Sequence, residues 1–429
     1  MKMNSTSDRI IISIGYYLYI IGSNFFFLLT YILSPFLERA KLLVNGQKNS
    51  LKNIQENEAK FTQKSIWFHV SSLGEFEQAR PVIESLKGKF NNHRIVVTFF
   101  SPSGYNQKKN DPLCDAVYYL PFESKKKAKI LINAIRPTMA FWVKYDFWFC
   151  YLNELNKKGI PIFLIAAQFR HSQIFFKPYG KFKRELLNLF SLIFCQNQQS
   201  IDLLNSIHIH QHILSGDNRF DRVHHISNLQ EEVPHIKQFQ QNKFTLIAGS
   251  SYEIEEDMIA NSITHLNQDI KVIIAPHFVN EARILSIEKR FKNNTIRYSS
   301  IHSDTKNLDQ QVLIIDSIGL LARLYKNVQS AFIGGGFVEN GLHNSLEAAA
   351  FGMPIAFGPK LKRFPVAQEL VQKEIGFIIN SANEFSAWLK HVVENPDFTA
   401  NVAKKSRDFV ASNKGATEIV VKKVLEKIS

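Results

Sequence analysis

Hydrophobic and polar residues alternate along most of this chain in the manner of strands joined by helices. The first series of short apolar or β-branched runs predicts strands at Ile66–Val70, Ile95–Phe99, Val117–Leu120, Met139–Val143, Ile162–Ala166, Leu192–Cys195 and Ile213–Leu214. Polar or amphipathic segments separate these runs. Strands that alternate with helices form a parallel sheet with helices on both faces.

A polar stretch, 216–242, follows this series and contains Pro234, which is typical of a linker. Beyond it, a second series predicts strands at Phe244–Ala248, Val272–Ala275, Val312–Ile315, Ala331–Ile333, Ile355–Phe357 and Phe377–Ile379. The 429 residues exceed one ordinary core, so two domains are expected. The predicted fold class is α/β, with two Rossmann-like, doubly wound domains that face a cleft.

The N-terminal segment differs because residues 10–37 contain no charged side chain. About 20 apolar residues suffice to cross a bilayer core. Gly22, Asn24 and Pro35 interrupt the run, so the segment is one tilted span or a helix in the membrane interface, with a buried core hairpin as the alternative. Four basic residues follow it and put the body of the protein on the cytoplasmic side if the segment spans: Arg39, Lys41, Lys48 and Lys52.

These patterns divide the chain into five parts. We predict a hydrophobic membrane anchor at 1–44, an N-terminal Rossmann-like domain at 45–225, a linker at 226–242, a C-terminal Rossmann-like domain at 243–415 and a closing helix at 416–429.

The balance of charge favours an acidic partner. The net charge is +14, which suits nucleic acid, an anionic membrane or a phosphorylated substrate. Nucleic acid is not expected, because the chain has no arginine-rich arm, zinc pattern or RNA-binding aromatic signature. The three cysteines are isolated, so neither a disulfide framework nor a metal site is predicted. Two basic clusters are membrane-contact candidates or solvated faces: Lys125, Lys126, Lys127 and Lys129, and Lys177, Lys181, Lys183 and Arg184.

A glycine-rich segment after the strand Ala331–Ile333 carries the most distinctive chemistry. Its glycines let backbone N–H groups approach a ligand, and the helix predicted from Asn344 to Ala350 presents its N-terminus to a phosphate. Asn344 and Glu347 share a helix face, where a carboxylate would accept hydrogen bonds from ribose hydroxyls. The segment favours nucleotide binding over a tight turn with a satisfied cap. Its candidate residues are Gly334, Gly335, Gly336, His343, Asn344 and Glu347.

In the first half, residues Ser71–Gly74 form a small loop after a strand, and Glu75 starts a helix. The local pattern favours Glu75 as a helix cap, because the positive end of the helix dipole stabilises a carboxylate. The alternative is a general base that takes a proton from an attacking hydroxyl. Ser72 and Gly74 of this loop would then line the acceptor side of the cleft.

Other polar residues also follow predicted strands. Lys144 and Asp146 are adjacent to a buried strand, where charges are costly unless they are used. Ser103 lies in a turn after the preceding strand. In the second half, the equivalent positions are Ser250, His277, Ser317 and Gly319. Each has an ordinary structural alternative as a turn, an ion pair or a cap.

Taken together in their order along the chain, the segments described above resemble those of the Kdo transferases (3-deoxy-D-manno-octulosonic acid transferases). These are membrane-associated GT-B glycosyltransferases of lipopolysaccharide synthesis. The resemblance implies inverting, metal-independent transfer of Kdo from CMP-Kdo to lipid IVA, without a cofactor. It also implies that the domain at 45–225 binds the acceptor and that the domain at 243–415 binds the donor nucleotide. The implied location is the cytoplasmic face of the inner membrane, with anionic lipids as partners. The motifs that carry it are SSLGE at Ser71–Glu75, SGDNRFD at Ser215–Asp221, GSSYEIEE at Gly249–Glu256, DSIGLLARLY at Asp316–Tyr325 and GGGFVENGLHNSLEAAAFGMPIAFGP from Gly334.

Matched residue by residue, the resemblance reverses the local interpretation of Glu75, which looks like the base for the acceptor hydroxyl. Asn344 and Glu347 match the HNxxE element that engages the donor nucleotide, with Glu347 at the ribose. Ser250 lies in the family's GS turn. Arg219 stands where the family usually has lysine and keeps a cation for the phosphate or the sugar carboxylate.

The sequence departs from the family pattern at three places. The ExExWPN pattern begins here with Lys144, so that only Asp146 keeps a carboxylate. The arginine of PRHxER is displaced to Arg283 beyond His277, and Leu320 replaces the usual glutamate. We interpret these as variation within an active enzyme. The alternatives are a GT-B transferase with a UDP-sugar donor and another lipid-linked acceptor, and a catalytically inactive, membrane-tethered nucleotide-sugar binding protein.

Overall fold

A computed structural model describes residues 6–144, 146–229, 232–266, 269–292, 294–302, 304–305, 308–338 and 341–428 of the chain. The chain divides into two compact units. Unit 1 contains residues 1–222 and 414–429, and unit 2 contains residues 223–413. Each unit is built on a seven-stranded parallel sheet, which confirms the predicted α/β class with two Rossmann-like units.

The sheet of unit 1 has the strand order β3-β2-β1-β4-β5-β6-β7. Its central strands are mostly apolar and are buried along nearly their whole length, because helices cover both faces of a parallel sheet. Its strands are β1 (Ser65–Val70), β2 (Arg94–Phe99), β3 (Ala116–Tyr119), β4 (Pro137–Val143), β5 (Ile162–Ala167), β6 (Leu192–Cys195) and β7 (His212–Leu214).

The sheet of unit 2 has the order β10-β11-β9-β8-β12-β13-β14. The edge strand β10 was missed by the sequence analysis, because its three half-buried residues form no apolar run. The strands of unit 2 are β8 (Thr245–Ser251), β9 (Lys271–Pro276), β10 (Thr295–Arg297), β11 (Val312–Ile314), β12 (Ser330–Ile333), β13 (Ile355–Phe357) and β14 (Gly376–Ile378).

The helices follow the expected spacing of apolar residues. In α6, for example, the buried residues Ala128, Leu131, Ile132 and Ile135 form one face. The helices before unit 2 are α1 (Thr6–Leu33), α2 (Glu38–Gln47), α3 (Ser50–Glu58), α4 (Leu73–Lys89), α5 (Pro102–Lys108), α6 (Lys125–Ile135), α7 (Phe149–Lys157), α8 (Lys181–Leu187), α9 (Gln198–Ser206) and α10 (Asn218–Asn228). The division between the units falls within α10.

The described residues of unit 2 add eight α-helices, and one more α-helix closes unit 1. Those of unit 2 are α11 (Ile236–Gln240), α12 (Glu253–Ile263), α13 (Glu281–Arg290), α14 (Leu321–Leu324), α15 (Leu346–Phe351), α16 (Pro365–Gln372), α17 (Ala382–Glu394) and α18 (Pro396–Ser412). Helix α19 (Ala416–Ile428) returns to unit 1, where Val420 and Val424 join the core under α4. Asp221 holds its start by accepting hydrogen bonds from the N–H groups of Gly415 and Thr417, at 2.6 and 2.7 Å.

Strand order fixes where ligands are expected in each unit. In unit 1, β1 and β4 are neighbours although β2 and β3 separate them in sequence, and in unit 2 the same is true of β8 and β12. In open α/β sheets, ligands bind outside the carboxyl ends of strands at such a reversal of order. The loop with Glu75 follows β1, the Lys144 loop follows β4, and Gly334 follows β12.

One face of helix α1 packs against the core of unit 1. Ile12, Tyr16, Tyr19 and Ile20 pack against the core, and a Cβ on Gly15 would lie 2.5 Å from Cβ of Phe182 on α8. The segment Ile11–Leu33 is long and apolar enough to cross a membrane, although such a helix alone is weak support for a span. Its outer face is apolar and exposed, and includes Tyr17, Leu18, Ile21, Phe25 and Phe26.

Candidate functional site

Glu75 lies in the first turn of helix α4 and is held by the loop that follows β1. Helix α4 begins at Leu73, two residues earlier than predicted, because Ser72 is its N-cap. The Ser72 hydroxyl accepts a hydrogen bond from the Glu75 N–H at 3.4 Å, and Oε2 of Glu75 accepts one from the Ser71 N–H at 2.6 Å. The carboxylate therefore points back to the carboxyl end of β1, which is compatible with capping and with contact to a ligand.

Burial and neighbouring charges perturb the Glu75 carboxyl. Burial raises its pKa, and the nearby Asp146 carboxylate acts in the same direction. The Ser71 N–H and the Lys144 ammonium oppose that rise. Burial lowers the pKa of Lys144, because it disfavours the charged ammonium, and the nearby Glu75 carboxylate opposes that shift. Lys144 has a φ of +62°, an uncommon conformation for a residue with a side chain. A carboxyl with a raised pKa is suited to proton transfer near neutral pH.

Asp146 is an ionised partner at the end of β4. Its Oδ2 accepts hydrogen bonds from the Ser71 hydroxyl and, at 3.1 Å, from the indole N–H of Trp148. Nε2 of His69 lies 3.7 Å from the same oxygen. Burial alone would raise the pKa of Asp146, but the hydrogen bonds that its carboxylate accepts and the nearby His69 ring outweigh burial, so the pKa is lowered.

His69 is the member of this cluster that the sequence analysis missed. It is 1% exposed and lies on β1, and its Nδ1 is 3.0 Å from the Thr98 hydroxyl on β2. That hydroxyl accepts the Trp67 indole N–H at 2.9 Å. When the hydroxyl donates to Nδ1, the ring proton resides on Nε2 and faces Asp146. The available signal was a histidine in a strand that is otherwise mostly apolar.

The remaining predicted residues of unit 1 lie around this cluster in different ways. The hydroxyl groups of Ser101 and Ser103 form a 2.8 Å hydrogen bond at the start of α5. Arg219 is paired with Asp217, at 2.6 and 2.8 Å, and both charges influence the pKa of Lys144. No described atom would contact a Cβ at Gly74. Arg219, predicted for the donor, therefore belongs to unit 1, whereas the other predicted donor residues belong to unit 2.

The three glycines after β12 are required by close approach of the backbone. A Cβ at Gly334 would lie 2.1 Å from the Ser250 carbonyl oxygen, and one at Gly336 would lie 2.4 Å from the Gly358 nitrogen. Gly335 has a φ of +92°, and its N–H donates at 2.9 Å to the buried Glu255 carboxylate. The Glu255 carboxylate thus already accepts the Gly335 N–H, which is one of the backbone N–H groups predicted to bind a phosphate.

Three rings form a stack beside these glycines. The Tyr252 ring stacks on His277 at a centroid distance of 5.1 Å and on His343 at 5.7 Å, and the two imidazoles are 4.3 Å apart. The Tyr252 hydroxyl is 3.2 Å from Nε2 of His343. Burial and the neighbouring His277 lower the pKa of His343 to about 4, and burial lowers that of His277. Both imidazoles are therefore neutral near pH 7.

Asn344 and Glu347 meet as predicted for one helix face, with Nδ2 of Asn344 donating to Oε1 of Glu347 at 2.9 Å. The helix itself is shorter than expected. It spans Leu346–Phe351, because Oδ1 of Asn344 accepts the Leu346 N–H and Gly352 ends the helix with a φ of +77°. Ser250 is held at a φ of +53° at the end of β8. Ser317 and Gly319 are exposed on the loop after β11.

Within the described ranges, no group of three or more histidine, cysteine, aspartate or glutamate residues is arranged to hold a metal ion. The chemistry available to unit 1 is an acid–base cluster of carboxylates with one lysine and one histidine. The chemistry available to unit 2 is a neutral imidazole pair next to a closely packed glycine loop.

The chain is similar in sequence to several known proteins. Residues 44–222 match the family model described as 3-deoxy-D-manno-octulosonic-acid transferase (kdotransferase). A 3-deoxy-D-manno-octulosonic acid transferase of Aquifex aeolicus is 25% identical over 84% of this chain and 92% of its own length. One from Haemophilus influenzae is 24% identical over 83% and 85%. A bifunctional glycosyltransferase/methyltransferase of Fusobacterium nucleatum is 24% identical over 84% of this chain, which spans 57% of that relative.

Solved structures share the fold. A UDP-GlcNAc 2-epimerase from Neisseria meningitidis has a TM-score of 0.59 at 16% identity and covers 84% of this chain and 100% of its own. MurG from Acinetobacter baumannii has a TM-score of 0.52 at 11% identity, with coverage of 85% and 99%. At these identities the likeness concerns the GT-B fold alone. Residues 44–222 and most of the chain are therefore similar in sequence to the Kdo transferases, and both units share the GT-B fold of the solved structures.

Proposed function

We propose that this protein transfers Kdo from CMP-Kdo to lipid IVA in lipopolysaccharide synthesis. The observation that carries the proposal is the cluster of Glu75, Lys144 and Asp146 at the strand-order reversal of unit 1, within the region that matches the Kdo transferase model. Relatives named as Kdo transferases over most of the chain support the same reaction.

Glu75 acts as the general base. The acceptor hydroxyl gives its proton to the Glu75 carboxylate while its oxygen attacks the anomeric carbon of Kdo. The bond from that carbon to the phosphate oxygen of CMP breaks, and CMP leaves with the electron pair. Attack and departure on opposite faces of the sugar invert the anomeric configuration. The raised pKa of Glu75 supports this role, because a base is most effective when its pKa approaches the working pH.

Unit 2 holds the donor nucleotide in this proposal. Glu347, oriented by Asn344, accepts hydrogen bonds from the ribose, and His277 and His343 donate N–H groups to the phosphate without a net charge. Ser250, Ser317 and Gly319 supply further donors. Because Glu255 already accepts the Gly335 N–H, side chains carry more of the phosphate binding than the glycine loop does. Arg219 remains the predicted cation for the phosphate or the sugar carboxylate, and no metal is expected.

The proposed location is the cytoplasmic face of the inner membrane. Docking of α1 along unit 1 favours a helix in the membrane interface over a span, since a spanning α1 would take the packed face of unit 1 into the hydrocarbon. Its exposed apolar face enters the lipid in this arrangement. The excess of positive charge supports attraction to anionic lipids and to a phosphorylated acceptor.

Mass spectrometry of lipid IVA incubated with the protein and CMP-Kdo tests the reaction. The expected product carries one or more added Kdo units, whereas UDP-N-acetylglucosamine as donor gives none. Transfer from the UDP-sugar instead would support the alternative GT-B reaction. Binding of CMP without any transfer would support an inactive binding protein and contradict the proposal.

A further inference from the structure

Three aromatic side chains connect the outer face of α1 to the carboxylate cluster of unit 1. Phe26 on α1 is 44% exposed, and its ring centroid lies 6.3 Å from that of Phe100, the residue after β2. Phe100 lies 5.0 Å from Trp148, whose indole N–H donates to Asp146. Phe100 and Trp148 are both partly exposed. We call Phe26, Phe100 and Trp148 the aromatic strip.

Buried neighbours keep the strip in place. The buried side chains of Phe27, Leu43 and Phe122 form a small separate core, against which Phe100 and Trp148 pack. The Phe27 ring stacks on Phe122 at 4.1 Å and lies 6.1 Å from the Trp148 ring. The strip is therefore a supported surface and not a set of loose side chains. Its position depends on α1, because Phe27 comes from that helix.

The surroundings indicate the kind of molecule that fits. The outer face of α1 continues from Phe26 as an apolar surface, with Tyr17, Ile21 and Phe25 each more than 60% exposed. At its other end the strip reaches Asp146, Ser71 and Glu75. A ligand that covers this path has an apolar chain at one end and a polar, reacting group at the other.

Positive charge near α1 adds a second constraint. The ammonium of Lys125 lies 5.4 Å from the Tyr16 ring centroid, and that of Lys183 lies 4.6 Å from the Tyr19 ring centroid. Tyr16 and Tyr19 belong to the packed face of α1, so these cations lie at the edge of its exposed apolar face. Cations in that position suit an amphiphile with anionic head groups.

We propose that the aromatic strip binds an acyl chain of the acceptor lipid and so positions the acceptor's reacting hydroxyl at Glu75. The inference rests on the proposed function, because it names where that acceptor's chain lies. The strip contributes to acceptor affinity and orientation and takes no part in the proton transfer. An acceptor bound in this way remains in the membrane interface during transfer.

Kinetics with and without acyl chains test the inference. Phe100→Ser is expected to raise KM for lipid IVA in detergent micelles by about tenfold, because one well-buried aromatic contact is worth about 1–2 kcal/mol. KM for the fully deacylated, phosphorylated disaccharide is expected to change less than twofold. Phe100→Leu is expected to recover most of the affinity. Leu285→Ser, which alters an exposed apolar residue of unit 2, is the matched control.

A spectroscopic readout separates this inference from the proposed reaction. Trp67, Trp142 and Trp388 are buried, so quenching by a lipid IVA analogue with brominated acyl chains reports on Trp148. Saturable quenching is expected in the wild type, with loss in Trp148→Phe and at least a fivefold weaker half-saturation in Phe100→Ser. No Kdo transfer together with this quenching would overturn the reaction and support the strip.

Other outcomes overturn the inference. An equal rise in KM for acylated and deacylated acceptors would assign Phe100 a purely structural role. Equal quenching by brominated phosphatidylglycerol at the same mole fraction would show that the strip contacts bulk lipid, without preference for the acceptor. Absence of quenching with transfer intact would show that the acceptor's chains lie elsewhere.

Discussion

Nε2 of the buried His69 lies 3.7 Å from Oδ2 of Asp146, and this contact helps to keep the Asp146 carboxylate ionised. An ionised Asp146 in turn raises the pKa of Glu75. Two carboxyl groups in one cluster therefore have pKa values displaced in opposite directions. Such divergence is how an enzyme assigns different tasks to chemically similar groups.

This coupling predicts opposite pH shifts for two variants. Asp146→Asn removes a negative charge that raises the pKa of Glu75, so the acidic limb of the kcat/KM profile moves to lower pH. Lys144→Met removes a positive charge that lowers the same pKa, so the limb moves to higher pH. The comparison uses the position of the limb, because both variants also lose turnover. Shifts in the same direction would disconnect Glu75 from that limb.

Glu75→Gln is expected to lower kcat by about 10²–10⁴-fold, the usual contribution of a general base, while CMP affinity stays within twofold. Glu77→Gln is the control on the same helix. Its carboxylate pairs with Arg80, Lys108 and Arg222 in a half-buried ion-pair network, so less than a twofold loss of kcat is expected. Single-turnover kinetics and calorimetry with CMP make the comparison. A fully active Glu75→Gln would eliminate the proposed base.

The buried His343 predicts a pH dependence of stability. Its pKa is lowered to about 4 in the folded state, below its ordinary value of 6.5, so the unfolded state binds more protons between these pH values. Stability is thus lost as pH falls from about 6.5 to about 4, by at most about 3 kcal/mol. Hydrogen exchange of residues 341–357 at pH 4.5 and pH 7 measures this loss of stability. His343→Gln should flatten the difference, and an unchanged difference would assign it to other groups.

Close backbone packing predicts different results for two glycine-to-alanine changes. Gly334→Ala places a Cβ 2.1 Å from the Ser250 carbonyl oxygen and is expected to cost at least about 2–3 kcal/mol. Gly88 lies in α4 with no described atom within 4 Å of its Cβ position, so Gly88→Ala is expected to stabilise the protein by about 0.5–1 kcal/mol. Urea denaturation compares them. An equal effect of both changes would refute close packing of the glycine loop.

The fold was largely predictable, because each central strand is a short apolar run between amphipathic segments. The edge strands of the sheets and the first residues of the helices were harder to predict. Strand β10 has no apolar run to detect. The start of α4 was placed at Glu75, although Ser72 and Glu75 have the spacing of a capping box and indicate the earlier start that the structure has.

The cluster in unit 1 was only partly predictable. Polar residues after β1 and β4 pointed to Glu75, Lys144 and Asp146, and the neighbouring positions of those strands bring them together. The role of His69 depends on its register with Thr98 across β1 and β2, which the sequence does not specify. The contact between Glu255 and Gly335 likewise required β8 and β12 to be neighbours.

The return of α19 to unit 1 affects how the chain is made. Val420, Val421 and Val424 complete a core whose other buried residues are synthesised before residue 222. The Asp221 carboxylate likewise gains its partners Gly415 and Thr417 only after unit 2 has been synthesised. During translation, unit 1 therefore holds an open apolar groove beside α4 while all of unit 2 leaves the ribosome. Unit 2 is contiguous in sequence and can finish folding first, which reverses the usual N-to-C order for two-domain proteins.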